Sequence, residues 1–216
     1  TNKKLDYSEK ILVQLMKYCN VPVISLESAT LHPLQSLADA ITIKENWKHK
    51  HKPKVVLTWA PHIKALPQAV PNSFAEWMTK LDVDFTITHP IGYELCEDYT
   101  KGAKIEYDQE KALQNADFIY VKNWSAYHEY GLTPKVNENW MLDLNRYQLT
   151  NNGCIMHCLP VRRDVELSSK LIDHPNSLIQ QQAANRVYSA QVVLKKILEK
   201  LPDTKANIEN LELEEA

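Results

Sequence analysis

The chain has 216 residues, of which 44% are hydrophobic and 24% charged, and its formal net charge is −2 with neutral histidines. No apolar run approaches the roughly 20 residues of a membrane-spanning helix, and the near-neutral charge argues against a nucleic-acid binder, which usually carries a basic face. The 4 glycines lie too far apart for a G-x-G-x-x-G or Walker loop, which excludes the common glycine-rich phosphate cradles.

Helix-like and strand-like segments alternate along the chain. In the first half the predicted elements are a helix from Ser8 to about Cys19, a strand at Val21–Leu26, a helix from Pro33, a strand at Val55–Trp59 and a helix capped by Asn72. In the second half they are strands at Asp84–Thr88 and Lys104–Tyr107, a helix at Gln109–Asn115, strands at Phe118–Val121 and Cys154–His157, and a helix from about Gln182 to Lys200. Apolar strands alternating with helices predict an α/β fold, a parallel sheet with helices on both faces.

Polar and ionisable side chains follow the predicted strands. In chain order they are Glu27 and His32, then His62, then Lys122, and finally Cys158 and Arg162. In open α/β sheets, ligands bind beyond the carboxyl ends of the strands. The sequence therefore predicts a small-molecule site at that edge of the sheet.

His32 and Gln35 lie where a loop turns into a helix, and their spacing places both on one side of its first turn. The free N–H groups and positive dipole end of such a helix favour an anion or a polarised carbonyl oxygen. An ordinary helix start with a solvated histidine is the alternative interpretation.

The segment His157–Pro160 ends a predicted strand on a residue without an N–H, so the Leu159 carbonyl is expected to be unpaired. That carbonyl and the Cys158 thiol can face a ligand amine or amide, although a buried structural cysteine is the alternative. Strand alternation places His157 on the opposite face. This disfavours a metal site with Cys154 and Cys158, and also a cysteine nucleophile with His157 as its base.

Arg186 stands in the opening part of the last predicted helix, among small apolar residues. An arginine in such a segment either reaches out to solvent or fixes an oxyanion, and the sequence leaves both interpretations open. The cysteines are scattered and form no C-x-x-C pair, which favours a reducing cytosol.

Three motifs occur in a specific order: H-P-x-Q-x-L-A-D from His32, H-C-L-P from His157, and A-x-N-R ending at Arg186. This combination resembles the aspartate/ornithine carbamoyltransferase family over nearly the whole chain. The resemblance is closest to the branch that acts on N-succinylornithine and N-acetylornithine, through residues 58–62, 69–73, 121–124 and 150–153. Ornithine carbamoyltransferases proper carry an acidic residue where Lys122 stands, followed by a Ser-Met-Gly loop. An acidic residue at this position suits the free α-ammonium of ornithine, and acylation of ornithine removes that positive charge. A lysine instead suits a carboxylate of the substrate.

The resemblance implies carbamoyl transfer from carbamoyl phosphate to the δ-amine of an N-acylated ornithine in arginine biosynthesis, with N-succinylornithine favoured and no metal or organic cofactor. By similarity, His32 and Cys158 are catalytic. The residues implied for carbamoyl phosphate are His32, Gln35, Cys158, Leu159 and Arg186, and those for the acylornithine are Glu27, His62, Lys122 and Arg162. The family further implies a cytoplasmic homotrimer with shared active sites, no nucleic-acid or membrane partner, and a cis Leu159–Pro160 bond.

The family's carbamoyl-phosphate domain, with its S-x-R-T loop, would lie before Thr1, so the chain resembles a C-terminal half that we expect to be inactive alone. The expected division is a last helix of that domain or a linker at 1–20, an acylornithine-binding domain at 21–180, a helix packing toward the missing domain at 181–201, and a disordered acidic tail at 202–216. An ornithine carbamoyltransferase and a non-catalytic binding or assembly module remain as alternatives. A nucleotide-dependent oxidoreductase is disfavoured by the missing glycine fingerprint.

Overall fold

A five-stranded parallel sheet organises the computed structural model, which describes residues 3–128 and 139–201. The strands are β1 Lys54–Trp59, β2 Asp84–Thr88, β3 Lys104–Glu106, β4 Phe118–Lys122 and β5 Cys154–Met156. Their order across the sheet is β3-β2-β1-β4-β5. After β1, the strands β2 and β3 are added on one side of it, and β4 and β5 then follow on its other side. The direction in which successive strands are added therefore reverses between β1 and β4. In open sheets this reversal is where a ligand crevice forms.

Nine helices lie in the two described ranges. They are α1 Lys3–Tyr7, α2 Lys10–Tyr18, α3 Pro33–Asn46, α4 Ala69–Met78, α5 Glu97–Thr100, α6 Gln109–Leu113, α7 Leu144–Tyr147, α8 Ser169–Ile172 and α9 Ile179–Leu198. The two longest, α3 and α9, pack against each other. Within residues 3–128 and 139–201, no helix has both the length and the apolarity to cross a membrane.

The sheet is covered on both faces, as the sequence predicted. Leu57 of β1 and Tyr120 of β4 belong to one core, which α3 and α4 complete. Val56 and Ile119, the neighbours of those residues along the same strands, belong to the other core, which includes side chains of α6, α7 and α8. The near-continuous apolar strands therefore bury alternate side chains in two separate cores.

The N-terminal predictions need correction. Ser8 caps no helix, because α1 ends at Tyr7, the Ser8 hydroxyl donates to the Leu5 carbonyl (3.0 Å), and Glu9 adopts a left-handed φ of 53° before α2. The predicted apolar face of α2 is exposed in this structure, since the helix has no buried side chain.

The predicted strand Val21–Leu26 is also wrong. The segment forms no strand, and Val23 and Ile24 line an apolar groove together with side chains of α3 and α9. A short apolar run indicates burial but does not show whether the segment pairs with a strand or packs on a helix. Here Val23 and Ile24 pack beside helices, while Val21 and Leu26 are exposed.

Two helix starts differ from the predictions. Asn72 lies inside α4, where its side chain donates to the Thr30 carbonyl (3.2 Å), so it does not cap the helix. The last helix begins at Ile179 rather than Gln182, which places Arg186 about two turns inside it. The other predicted strands agree to within one residue at each end. The acidic tail at 202–216 lies outside the described residues.

Candidate functional site

A cavity of about 600 Å³ opens at the carboxyl ends of β1, β4 and β5, at the reversal in strand order. The nine residues that the sequence indicated for the site all line it: Glu27, His32, Gln35, His62, Lys122, Cys158, Leu159, Arg162 and Arg186. Leu66, Pro67, Val70, Pro160 and Val161 complete its wall. Glu27 reaches the cavity from a loop, although the strand predicted before it does not form.

His32 lies at the start of α3, where its backbone N–H donates to the Ser73 hydroxyl of α4 (2.7 Å). Its ring Nδ1 is buried and has no hydrogen-bond partner in the described parts of the chain. Burial lowers the pKa of His32, while the Glu27 carboxylate opposes this effect and the Arg186 charge adds to it. The ring is therefore neutral at neutral pH, with one nitrogen donating and the other accepting.

Gln35 belongs to a chain of buried hydrogen bonds that continues through the Asp39 carboxyl group and the Gln182 amide to the backbone of His157. The Gln35 Nε2 donates to the Asp39 Oδ1 (2.8 Å), and the Gln182 Nε2 donates to the same oxygen (2.7 Å). The Gln182 Oε1 in turn accepts from the backbone N–H of His157 (2.9 Å). Burial raises the pKa of Asp39 to about 7, against the opposing hydrogen bonds from Gln35 and Gln182.

The Cys158 thiol is buried in the cavity wall. Burial raises its pKa, and the Lys122 charge opposes that rise. The Tyr120 hydroxyl is close enough to affect the pKa of both Cys158 and Asp39, although it forms no well-aligned hydrogen bond with either. Cys158 is thus a protonated thiol at neutral pH and is not activated as a nucleophile.

A buried histidine and glutamate hold the loop that carries Leu159 and Arg162. The Leu159 N–H donates to the His157 Nδ1 (3.1 Å), which leaves the ring N–H on Nε2, 3.5 Å from the Glu166 Oε1. The Glu166 Oε2 accepts from the backbone N–H of Arg162 (2.9 Å). The Leu159–Pro160 bond is cis, and the Leu159 carbonyl accepts no hydrogen bond from any described residue.

Cations dominate the charge of the cavity lining. Lys122, Arg162 and Arg186 line it, and Glu27 supplies a carboxylate. The Arg162 Nε donates to the His62 Nε2 (3.0 Å), so that imidazole nitrogen is an acceptor and the ring orients the guanidinium. An excess of positive charge in a partly closed cavity favours anionic ligands. In residues 3–128 and 139–201 no cluster of three or more metal-ligating side chains is present.

Sequence reasoning missed four residues that lie behind the cavity: Asp39, Tyr120, Glu166 and Gln182. Asp39 offered a signal, since it lies four positions after Gln35 and so on the same face of α3. Gln182 offered none, because its contact with Asp39 joins positions 143 apart in the sequence.

Comparisons with known proteins agree with this geometry. The sequence profile described as aspartate/ornithine carbamoyltransferase, Asp/Orn binding domain, matches residues 67–197. An N-succinylornithine carbamoyltransferase of Bacteroides fragilis is 52% identical over 203 residues, which are 93% of this chain and 64% of that protein. An N-acetylornithine carbamoyltransferase of Xanthomonas campestris pv. campestris is 32% identical over 209 residues, covering 88% of this chain and 61% of that protein. The chain spans less than two thirds of the length of these relatives.

Solved structures give the same result for the fold. Acetylornithine transcarbamylase complexed with acetylcitrulline matches with a TM-score of 0.82 at 30% identity, covering 91% of this chain and 64% of that chain. A mutant N-acetyl-L-ornithine transcarbamylase complexed with carbamyl phosphate and N-succinyl-L-norvaline matches with a TM-score of 0.82 at 30% identity, covering 91% and 65%. Because the family profile covers more than half of the residues, the chain belongs to the aspartate/ornithine carbamoyltransferase family.

Proposed function

We propose that the protein containing this chain transfers the carbamoyl group of carbamoyl phosphate to the δ-amine of an N-acylated ornithine, with N-succinylornithine as the preferred substrate, in arginine biosynthesis. The observation that carries the proposal is the meeting of nine candidate residues from five separate segments in one cavity. The 52% identity to an N-succinylornithine carbamoyltransferase supports the choice of acyl group.

The carbonyl oxygen of carbamoyl phosphate lies next to His32 in this mechanism. The neutral δ-amine attacks the carbonyl carbon and a tetrahedral intermediate forms. Phosphate then leaves with the electron pair of the broken C–O bond and takes up the proton that the amine loses. Negative charge grows first on the carbonyl oxygen, where the N–H of the neutral His32 ring donates a hydrogen bond, and then on the phosphate, which Arg186 contacts. A preorganised donor of this kind contributes about 2.7–4 kcal/mol to catalysis.

The carbamoyl NH₂ lies between two acceptors. Both the Gln35 Oε1 and the Leu159 carbonyl lack a hydrogen-bond partner among the residues that the structure describes. Two acceptors match the two N–H bonds of the NH₂ group and hold the carbonyl carbon in reach of the amine. Cys158 lies beside the reacting amine, and as a protonated thiol it does not compete with that amine for the carbonyl carbon.

The acylornithine occupies the cation-rich part of the cavity. Lys122 and Arg162 are the partners for its carboxylates, and His62 holds Arg162 in orientation. Glu27 supplies the negative charge that suits the amine end of the substrate. N-succinylornithine has two carboxylates and N-acetylornithine has one. The presence of two cations, Lys122 and Arg162, therefore supports the succinyl derivative as the substrate.

The proposal extends to assembly and location: a cytoplasmic homotrimer in which neighbouring subunits share active sites. It is supported by the family to which the chain belongs. Sedimentation analysis of the whole protein tests it, and a stable monomer that carries full activity would contradict shared sites.

Product formation from carbamoyl phosphate tests the activity. We expect the whole protein to carbamoylate N-succinylornithine faster than N-acetylornithine, and free ornithine slowest, in a citrulline-type assay. Equal or faster turnover of free ornithine contradicts the acyl assignment. The 216-residue chain alone should be inactive in the same assay. Calorimetric binding of N-succinylornithine by the whole protein without turnover would instead favour a binding module.

A further inference from the structure

We propose that Asp39 is a positioning residue that turns the oxygen of the Gln35 amide toward the ligand, so that the cavity selects an NH₂ group over an apolar group of the same shape. The inference rests on the proposed function, in which carbamoyl phosphate brings that NH₂ group.

The orientation of Gln35 is fixed in steps that begin at a backbone group. The N–H of His157 can only donate, so the atom of Gln182 that faces it at 2.9 Å is the amide oxygen. The amide nitrogen of Gln182 then faces Asp39 at 2.7 Å. The Asp39 Oδ1 accepts from it and, at 2.8 Å, from the nitrogen of Gln35. The Gln35 oxygen is thereby left for the cavity.

Burial makes this orientation consequential. Gln35 is 1% exposed, and Asp39 and Gln182 are fully buried, so water does not compete for these atoms. The Gln35 Oε1 has no partner within the described ranges although Gln35 lines the cavity. A ligand N–H satisfies that oxygen, whereas a methyl group leaves it buried and unpaired, which is costly.

The opposite orientation of the Gln35 amide is disfavoured by Asp39 itself. It would direct the Gln35 oxygen against the Asp39 oxygen that already accepts from Gln182. Either protonation state of the carboxyl leaves Oδ1 as an acceptor, with any proton on the unpartnered Oδ2. The selection of an NH₂ group is therefore expected to persist on both sides of neutral pH.

Acetyl phosphate is the probe, because its methyl group replaces the NH₂ of carbamoyl phosphate. The experiment compares the inhibition constant of acetyl phosphate with the KM of carbamoyl phosphate in the whole protein. We expect the unmodified protein to favour carbamoyl phosphate by about tenfold or more. The Asp39→Asn variant keeps an acceptor for Gln35 and should keep this ratio.

The Asp39→Ala variant leaves room for a water, which donates as readily as it accepts and does not fix the amide. Its ratio should fall to the part of the preference that the Leu159 carbonyl supplies, through weaker binding of carbamoyl phosphate at unchanged affinity for acetyl phosphate. Should that variant not fold, Asp39→Ser serves, since its hydroxyl also both donates and accepts. A Gln35→Leu variant should lose the same part of the preference and keep the part that the Leu159 carbonyl supplies, and adding Asp39→Ala to it should reduce the ratio no further.

Proportional weakening of both phosphates in Asp39→Ala would indicate a merely structural role and overturn the inference. An unchanged ratio of the two constants in Asp39→Ala would also overturn the inference. The same holds for a lowered ratio in Asp39→Asn, or for an unmodified protein that does not prefer carbamoyl phosphate to acetyl phosphate. If the unmodified protein transfers no carbamoyl group, the proposed function fails first, and the inference fails with it. If the unmodified protein transfers the carbamoyl group and Asp39→Ala leaves the ratio unaltered, the inference about Asp39 is wrong and the proposed function still holds.

Discussion

Lys122 ends β4, and although it is 8% exposed it reaches the cavity. No ion pair with an acidic side chain is formed by Lys122 in the described ranges of the chain. A largely buried cation without an acidic partner costs free energy, because it loses part of its hydration without gaining an ion pair. Its charge instead acts on the neighbouring Cys158, His32 and Glu166. These features are expected of a side chain whose partner is an anionic ligand.

Replacing Lys122 by methionine should have opposite effects on binding and on stability. We expect the KM for N-succinylornithine to rise by about 10- to 100-fold, as for loss of a hydrogen bond to a charged group, with a smaller change in kcat. The thermal midpoint should rise, since an unpaired buried charge is removed. Steady-state kinetics and thermal unfolding measure the two effects.

The exposed Lys80 provides the matched control, since it pairs with Glu76 on the surface of the protein. Lys80→Met should leave both the KM and the thermal midpoint nearly unchanged, as for other exposed pairs. An unaltered KM in Lys122→Met would remove Lys122 from the substrate site.

At the scale of elements, α9 packs on α3 through a polar seam. The Ser189 hydroxyl donates to the Leu34 carbonyl (2.6 Å), and the Asn185 amide donates to Thr42 (2.9 Å) and Glu45 (2.8 Å). Of the apolar stripe predicted along this helix, Val193 and Ile197 line the groove beside α3, whereas Leu194 is 48% exposed. The prediction that the stripe packs toward a further domain stays a prediction.

The seam predicts a local stability effect. Asn185→Ala removes both hydrogen bonds to α3 and leaves the Thr42 hydroxyl and the Glu45 carboxylate with fewer donors. We expect the free energy of unfolding to fall by about 1–3 kcal/mol, measured by urea denaturation. Because Arg186 is the next residue, the affinity for carbamoyl phosphate should also fall. Gln191→Ala, at an exposed position of the same helix, should change stability by less than about 0.5 kcal/mol.

For the whole molecule, the free energy of unfolding depends on pH through buried groups whose pKa values are shifted in opposite directions. Burial lowers the pKa of three histidines, His32, His89 and His157, so their contribution is lost as the pH falls below the ordinary histidine range. Burial raises the pKa of Asp39 from 3.8 to about 7. Its contribution is therefore present in acid and lost as the pH rises toward neutrality.

Comparison with Asp39→Asn isolates the carboxyl contribution, because the histidine contributions cancel between the two proteins. We expect the variant to gain stability relative to the unmodified protein as the pH rises from about 5 to about 8, measured by chemical denaturation. A difference that stays constant over this range would mean that Asp39 has the same pKa in the folded and unfolded chain.

Local sequence patterns predicted the strands of the sheet more accurately than the structure near the N-terminus. β1 and β4 are central and covered on both faces, so their apolar runs carry an unambiguous signal. Val21–Leu26 carries a similar run, yet it joins no strand: Val23 and Ile24 lie half-buried beside α3 and α9, and Val21 and Leu26 are exposed. The start of α2 at Lys10, after Glu9 rather than after a Ser8 cap, also escaped prediction, since nothing local requires the left-handed backbone at Glu9.

Periodicity and chain order are local properties, so the parallel α/β class and the side chains that follow the strands can be predicted from the amino-acid sequence. The packing of the chain was needed to show that nine candidate residues share one cavity and that Asp39, Gln182 and Glu166 hold its walls from behind. Hydrogen bonds between positions as far apart as 143 residues depend on how helices and strands pack, and local spacing carries no information about that packing.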